Sequence, residues 1–317
     1  MTKWFCALLA FAGLSLSSPA QEYGVVNISV CNLRRTADFD AEMVSQALLG
    51  TPVHVLGISD NGNPWPQVQT PDGYTGWVHY AAVTRMDRAA YHAWNAAPKV
   101  VVTALAGIVR DRPSRHGATL SDVVAGDRLR LLGSRGGWYE VGFPDGRSGY
   151  LDKKAGMEEA AWRRQLDQSA EAVLASARSL LGFPYLWAGM SPKGMDCSGF
   201  VRTVLFLHDI IIPRDCSQMY CKGERVEDPA QLLPGDLVFF GRYGEDGSPR
   251  PSHVGFYLGE GRFIHSLGLV QIGSLRPEDP LFDAFNAGRY LFGSRILPYI
   301  DREEGLCTTP NNPYYTE

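Results

Sequence analysis

The sequence predicts a multi-domain chain: two small all-β units ahead of a larger α+β domain. Three observations carry this. The length, 317 residues, exceeds that of one ordinary domain. The first half contains a weak internal repeat. A helix-periodic stretch follows it, and then apolar–polar alternation broken by Gly-rich turns.

The N-terminus, "MTKWFCALLAFAGLSLSSPAQEYG", has a cation at Lys3, an apolar run from Trp4 to Leu16 and small residues at Ser18-Pro19-Ala20. Residues 1–20 are therefore expected to be a secretory signal peptide cleaved after Ala20. The mature protein is expected to be exported, periplasmic or secreted, with no membrane span. A net charge of −4 and a pI near 6.0 give no basic footprint for nucleic acid. Without Cys6 the thiols are Cys31, Cys197, Cys216, Cys221 and Cys307. That odd number leaves at least one thiol free or paired between chains. Cys216 and Cys221 are close enough in sequence to pair, and the connectivity stays open. No C-x-x-C or zinc-ribbon spacing occurs, so neither a metal nor a cofactor is expected.

The repeat spans residues 21–90 and 91–157. "NLRRTADFDAEMVSQALLGTPVHVLG", Trp65 and "PDGYTGWV" answer "IVRDRPSRHGATLSDVVAGDRLRLLG", Trp138 and "PDGRSGYL". Val53 and Val55, like Leu129 and Leu131, alternate with polar neighbours, as in half-buried strands. Both copies resemble bacterial SH3-like domains, which implies two small all-β barrels. "EEAAWRRQLDQSAEAVLASARSLLG" then reads as one helix, broken near Gly182-Phe183-Pro184. The third domain occupies residues 158–317.

In "KGMDCSGFVRTVLFLHD", Phe200, Val201, Val204, Leu205 and His208 share a helical face. A helix starting at Cys197 aims its positive end at the sulfur and favours thiolate. Asp196 and Ser198 suit a helix start better than a buried interior. A cysteine nucleophile also needs a base. In "PSHVGFYLGEGRFIHSLG", Val254, Phe256 and Leu258 alternate with His253, Gly255 and Tyr257. A three-residue Gly259-Glu260-Gly261 loop would pair Leu258 with Arg262 and His265 with Gly255. His253 and His265 then become diagonal neighbours on one sheet face. A two-residue loop would put them on opposite faces. The expected constellation is a thiol, an imidazole base and a second imidazole that orients it.

"FPYLWAGMSPKGMDCSGFV", "LLPGDLVFF" and "SHVGFYLGEGRFIH", in that order, closely resemble the NlpC-type family of cell-wall cysteine peptidases, over about residues 170–300. The resemblance implies a papain-like α+β fold with Cys197 as nucleophile, His253 as general base and His265 as orienting residue. It also implies that the Tyr185 hydroxyl and the Cys197 backbone N–H hold the oxyanion. The family's usual Trp-Gly-Gly reads Trp187-Ala188-Gly189 here. Pro234-Gly235-Asp236-Leu237 matches a structural family turn.

The family hydrolyses peptidoglycan stem peptides. An Asp at position 215, together with the SH3-like pair, resembles the branch that recycles murein peptides. Those enzymes need a free N-terminal L-Ala and cut after L-Ala-γ-D-Glu. Asp215 would pair with the substrate amine, and an Arg such as Arg214 would suit a carboxylate. Glu42 and Tyr80 of the first SH3-like domain are the candidates for completing amine recognition. Asp196, Ser198 and Cys216 are candidates for further polar contacts. The expected partners are peptidoglycan-derived peptides, met by a monomer. Two alternatives stay open: an endopeptidase of intact wall tethered by its SH3-like domains, and a wall-binding module with an inert catalytic domain.

Overall fold

A computed structural model describes residues 22–60, 62 and 64–317. The expected signal peptide lies outside the described residues. Seven strands form a first antiparallel sheet: Glu22–Val26 (β1), Val30–Arg34 (β2), Met43–Leu48 (β3), Pro52–Ile58 (β4), Pro66–Gln69 (β5), Thr75–Trp77 (β6) and Val83–Met86 (β7). Helix α1 (Arg88–Ala96), capped by Asp87, leads to a second sheet. Its strands are Lys99–Val102 (β8), Ala106–Arg110 (β9), Thr119–Val124 (β10), Arg128–Arg135 (β11), Trp138–Gly142 (β12), Ser148–Asp152 (β13) and Gly156–Glu158 (β14). The sheet orders are β3-β2-β6-β5-β4-β1-β7 and β10-β9-β13-β12-β11-β8-β14. Each strand of the second sheet takes the place of the strand seven earlier, so the sequence repeat is a topological repeat. Leu33, Val53, Val68 and Val78 fill the first core, and Val100, Val109, Leu129, Val141 and Leu151 the second.

The segment expected to form one helix forms two, α2 (Glu159–Gln165) and α3 (Ala170–Ser179). Side chains at the junction compete with the helical backbone for hydrogen bonds. The Asp167 carboxylate accepts from Ser169 N, and Ser169 Oγ caps α3 by accepting from Ala172 N. Two short strands, Met190–Ser191 (β15) and Gly194–Met195 (β16), precede α4 (Cys197–Phe206). After Ile210–Ile211 (β17) and α5 (Cys216–Met219) comes the main sheet. It contains Glu224–Val226 (β18), Leu237–Tyr243 (β19), Pro249–Gly259 (β20), Arg262–Leu267 (β21), Leu269–Ser274 (β22) and Tyr290–Arg295 (β23), in the order β18-β23-β19-β20-β21-β22. Helix α6 (Ala284–Ala287) connects β22 to β23. Phe200, Val201 and Val204 of α4 pack on Phe239, Val254, Phe256 and Ile264 of this sheet. In the structural turn, Asp236 pairs with Arg295 at 3.0 Å. No helix among the described residues is long and apolar enough to cross a membrane.

Buried polar contacts join the three units. Asp127 Oδ1 accepts from Leu49 N, joining the two small sheets. Asp72 of the first unit pairs with Arg202 of α4 at 3.0 Å. Arg128 of the second unit pairs with Asp209 at 3.0 Å and Glu159 at 3.1 Å, and Arg163 also reaches Asp209. The C-terminal segment runs back across the molecule. Cys307–Thr308 (β24) pairs with β17, the Tyr314 ring stacks on His54 at 4.2 Å, and Asn312 Nδ2 donates to Pro71 O. Replacing Arg128 by Met leaves Asp209 and Glu159 with one cation fewer in a buried network. The expected loss is about 3 kcal/mol of unfolding free energy, read by urea denaturation.

Candidate active site

Local chemistry fixes where α4 begins. Asp196 Oδ1 accepts from Gly199 N at 2.6 Å as the helix N-cap, and Oδ2 accepts from Ala188 N at 2.9 Å. A Cβ on Gly199 would stand 1.8 Å from the Gly189 carbonyl oxygen, so only glycine lets the helix start this close to the Trp187–Gly189 loop. Cys197 is the first helical residue, and its N–H therefore has no intrahelical acceptor. The sulfur is buried, yet its pKa lies well below the ordinary thiol value. A hydrogen bond from Cys216 is the largest cause, and the hydrogen bond and charge of His253 add to it against the opposing effect of burial. Cys216 is itself held neutral, by that bond and by burial.

The β20–β21 hairpin brings the two histidines together by an unexpected route. Its turn has only two residues, Glu260 and Gly261, both at positive φ (53° and 79°), and Gly259 pairs with Arg262. A bulge at Leu258, between Tyr257 and Gly259, restores the register, so His265 still faces Gly255. A Cβ on Gly255 would meet the Ile264 carbonyl oxygen at 2.6 Å and His265 Cβ at 3.0 Å. His253 Nε2 lies 2.7 Å from His265 Nδ1, both rings buried. Burial first, and the nearby His253 second, lower the His265 pKa to about 3. His265 is therefore neutral at pH 7. Its Nε2 faces Asp283 Oδ2 at 3.9 Å, which favours the proton on Nε2. Its Nδ1 then accepts from His253 Nε2–H, and His253 Nδ1 is left to take the proton of Cys197. Asp283 stands behind the pair as a fourth member that the sequence did not suggest.

Because His265 is neutral when folded and titrates normally when unfolded, it stabilises the fold fully above about pH 6.5. That contribution is lost as pH falls toward the folded value of about 3. At pH 4.5 the expected loss is roughly 2–3 kcal/mol. Urea denaturation at pH 7 and 4.5 should show it in the wild type and not in H265N.

Tyr185 lies close enough for the Cys197 charge to act on its hydroxyl. Burial, then the charges of Cys197 and Asp196, push its pKa up to about 12, so it remains a proton donor. Asp196, Ser198 and Arg214 form a buried cluster instead of lining the groove. Arg214 is 1% exposed, pairs with Asp196 Oδ2 at 2.6 Å and donates to Ser198 Oγ at 2.7 Å. Its guanidinium is thus committed to holding the nucleophile helix. Half-buried Asp215, at the start of α5, has its pKa raised by burial.

From the first small unit, exposed Glu42 reaches the catalytic domain. It accepts from Trp187 Nε1 at 3.1 Å while pairing with Arg35 at 2.7 Å. Tyr80 is 51% exposed, and its ring packs on His79 of its own unit. Tyr74 of the β5–β6 turn, absent from the expected site, feels the charge of Asp215. Burial and then that carboxylate raise its pKa. The "PDGY" element of the repeat was a visible signal, but it read only as a turn.

Ala188, at the departure from Trp-Gly-Gly, has φ +59° and is buried. An L-residue with a Cβ is strained there, which accounts for glycine at this position in the family pattern. Ala188→Gly is expected to raise stability by about 1 kcal/mol in urea denaturation. All five described cysteines are free, and the Cys216 thiol lies 3.6 Å from the Pro251 carbonyl oxygen.

Together, a thiolate-favouring helix start, a two-histidine relay on an antiparallel sheet and a tyrosine donor define a papain-like cysteine peptidase behind an SH3-like all-β region. The NlpC/P60 family model matches residues 182–281, and that of the bacterial dipeptidyl-peptidase Sh3 domain matches residues 33–83. The chain is 34% identical to the gamma-D-glutamyl-L-lysine dipeptidyl-peptidase of Bacillus cereus, over 71% of this chain and 67% of that one. It is 29% identical to dipeptidyl-peptidase 6 of Lysinibacillus sphaericus, over 81% and 93%. A crystal structure of an NlpC/P60 family protein from Bacillus cereus superimposes with a TM-score of 0.73 and 26% identity, covering 87% of this chain and 100% of the other. The chain belongs to the NlpC/P60 family of cysteine peptidases.

Proposed function

We propose that the protein hydrolyses the bond between γ-D-Glu and the diamino acid in peptidoglycan stem peptides that carry a free N-terminal L-Ala. Its place is the recycling of murein peptides, as an exported monomer. The names of the two relatives support the bond class. The observation that carries the amine requirement is the reach of the first small unit onto the catalytic groove. Glu42 is tied to Trp187, and the Tyr74 phenol is close enough to feel the Asp215 charge. The half-buried Asp215 carboxylate and the Tyr74 phenol suit an ammonium group and disfavour an acylated, uncharged chain end.

In the reaction, the Cys197 thiolate attacks the γ-carbonyl carbon of D-Glu. The Tyr185 hydroxyl and the Cys197 backbone N–H receive the oxyanion. His253, held by neutral His265, protonates the leaving amine and then activates the water that hydrolyses the thioester. Asp196 and Arg214 act on the geometry of the nucleophile and do not meet substrate. The test is mass spectrometry of L-Ala-γ-D-Glu-L-Lys after incubation with the enzyme. L-Ala-γ-D-Glu and free Lys are expected. Release of Ala alone, or an intact peptide, rejects the assignment.

A further inference from the structure

A γ-linked glutamyl residue keeps its α-carboxylate free, and the diamino acid brings a second carboxylate. Asp215 would repel both, so a substrate of the kind proposed above needs a cation near Cys197. Four arginines are candidates, of which Arg35 is already paired with Glu42 at 2.7 Å. Arg214 is enclosed and paired with Asp196. Arg202 is paired with Asp72 and belongs to the interface between units. Arg289 remains.

Arg289 follows α6 and is held entirely by neutral groups. Its Nε and Nη2 donate to Asn286 Oδ1 at 3.1 and 3.0 Å. Its Nη1 donates to the Oγ of Ser252, the residue before His253, at 3.1 Å. Its guanidinium lies over the Phe285 ring, 4.4 Å from the centroid, and Phe285 is 65% exposed. Among the described residues no carboxylate is in ion-pair contact with it. Asn286 is fully buried and explains how that arrangement persists. Its Nδ2 binds Asp283 Oδ2 at 2.5 Å while its Oδ1 takes Arg289, so the neighbouring acid is kept on the His265 side. Burial draws the Arg289 pKa down, and the charge of the Cys197 thiolate, then that of Asp283, acts in the opposite direction.

We propose that Arg289, positioned by Ser252, Asn286 and Phe285, receives a carboxylate of the substrate beside Cys197. A pre-aligned guanidinium with unspent N–H donors is suited to a carboxylate fork. The inference rests on the peptidase reading for the identity of the ligand, but not for its charge.

Two measurements test it. The first needs no substrate: the rate of Cys197 alkylation by iodoacetate divided by that by iodoacetamide, followed on the Cys197 peptide by mass spectrometry. In the wild type this ratio should exceed that of R289Q by about tenfold, one charge-assisted contact. R289K, which keeps the charge, should restore part of it. Equal ratios in all three proteins overturn the proposal. The second compares kcat/KM for L-Ala-γ-D-Glu-L-Lys with that for its Glu α-amide and for its C-terminal amide. One amide should be cleaved roughly 10- to 100-fold more slowly by the wild type, and R289Q should lose that preference. Preference against the Glu α-amide assigns the carboxylate to the acyl side. Preference against the C-terminal amide assigns it to the leaving side. Cleavage of all three peptides at one rate, or an unchanged preference in R289Q, overturns the proposal and leaves the peptidase reading intact. If the parent peptide is not cleaved while the alkylation ratio depends on Arg289, the substrate reading falls and the anion site stands. If R289Q does not fold, R289K decides: it should lie between the wild type and a free cysteine peptide in alkylation ratio, and wild-type behaviour in both assays contradicts a forked contact.

Discussion

Cys197→Ala enzyme is expected to lose at least about 10⁴-fold in kcat and to unfold within a few degrees of the wild type. The sulfur is the only atom removed, and the cap that sets the helix start belongs to Asp196. Cys197→Ser is expected to be nearly as inactive. Cys216 and His253 draw the thiol pKa well down against burial, and a hydroxyl starts too high for the same causes to suffice. The measurement is kcat on the tripeptide, with a thermal melt of each variant beside it. Residual activity within about tenfold of the wild type would mean that another group performs the attack.

The second large effect is expected at Asp196, which is buried behind the nucleophile. Its carboxylate caps α4 through Gly199 N, fixes the preceding loop through Ala188 N and neutralises Arg214. Asp196→Ala removes all three and strands a guanidinium that is 1% exposed. The expected loss is about 3–5 kcal/mol in urea denaturation, with turnover falling as the helix start loosens. Asp196→Asn keeps one acceptor oxygen, enough for the Gly199 cap or the Ala188 amide but not both, and loses the charge, so it should retain only part of the stability. Full stability in the alanine variant would show that Arg214 finds other partners.

The nucleophile was legible because a helix N-cap is a local pattern: Asp196, Cys197, Ser198 and Gly199 are consecutive, and the apolar face of α4 repeats behind them. The two small sheets were legible because each turn and strand of the first copy recurs in the second. The histidine pair was expected on one face, and it is there, but through a two-residue turn and a bulge at Leu258 in place of a three-residue loop. Both routes add one residue to the same strand, so the alternating pattern cannot distinguish them.

What escaped depends on contacts between distant segments. Whether Arg214 faces a groove or a buried carboxylate is decided by how α5 packs on α4, and nothing in "IPRDCS" records that. Asp283 reaches His265 from the connection after β22, 18 residues away in the chain. Asn312 and Tyr314, with no assignable role in the sequence, gain one only when the C-terminal segment crosses to Pro71 and His54. Tyr74 sits at the end of a Pro-Asp-Gly turn, and only the packing of the first small unit on the third brings it within reach of the Asp215 charge.

The central claim is amine-gated cleavage, and the most direct test is one pair of rates. The kcat/KM of the wild type is measured for L-Ala-γ-D-Glu-L-Lys and for its N-acetylated twin, with Cys197→Ala as the blank. Cleavage of the free amine at least about 100-fold faster is expected, because acetylation removes a charge that Asp215 is placed to receive. Equal rates on the two peptides would contradict the claim and assign the first small unit to holding the enzyme on intact wall.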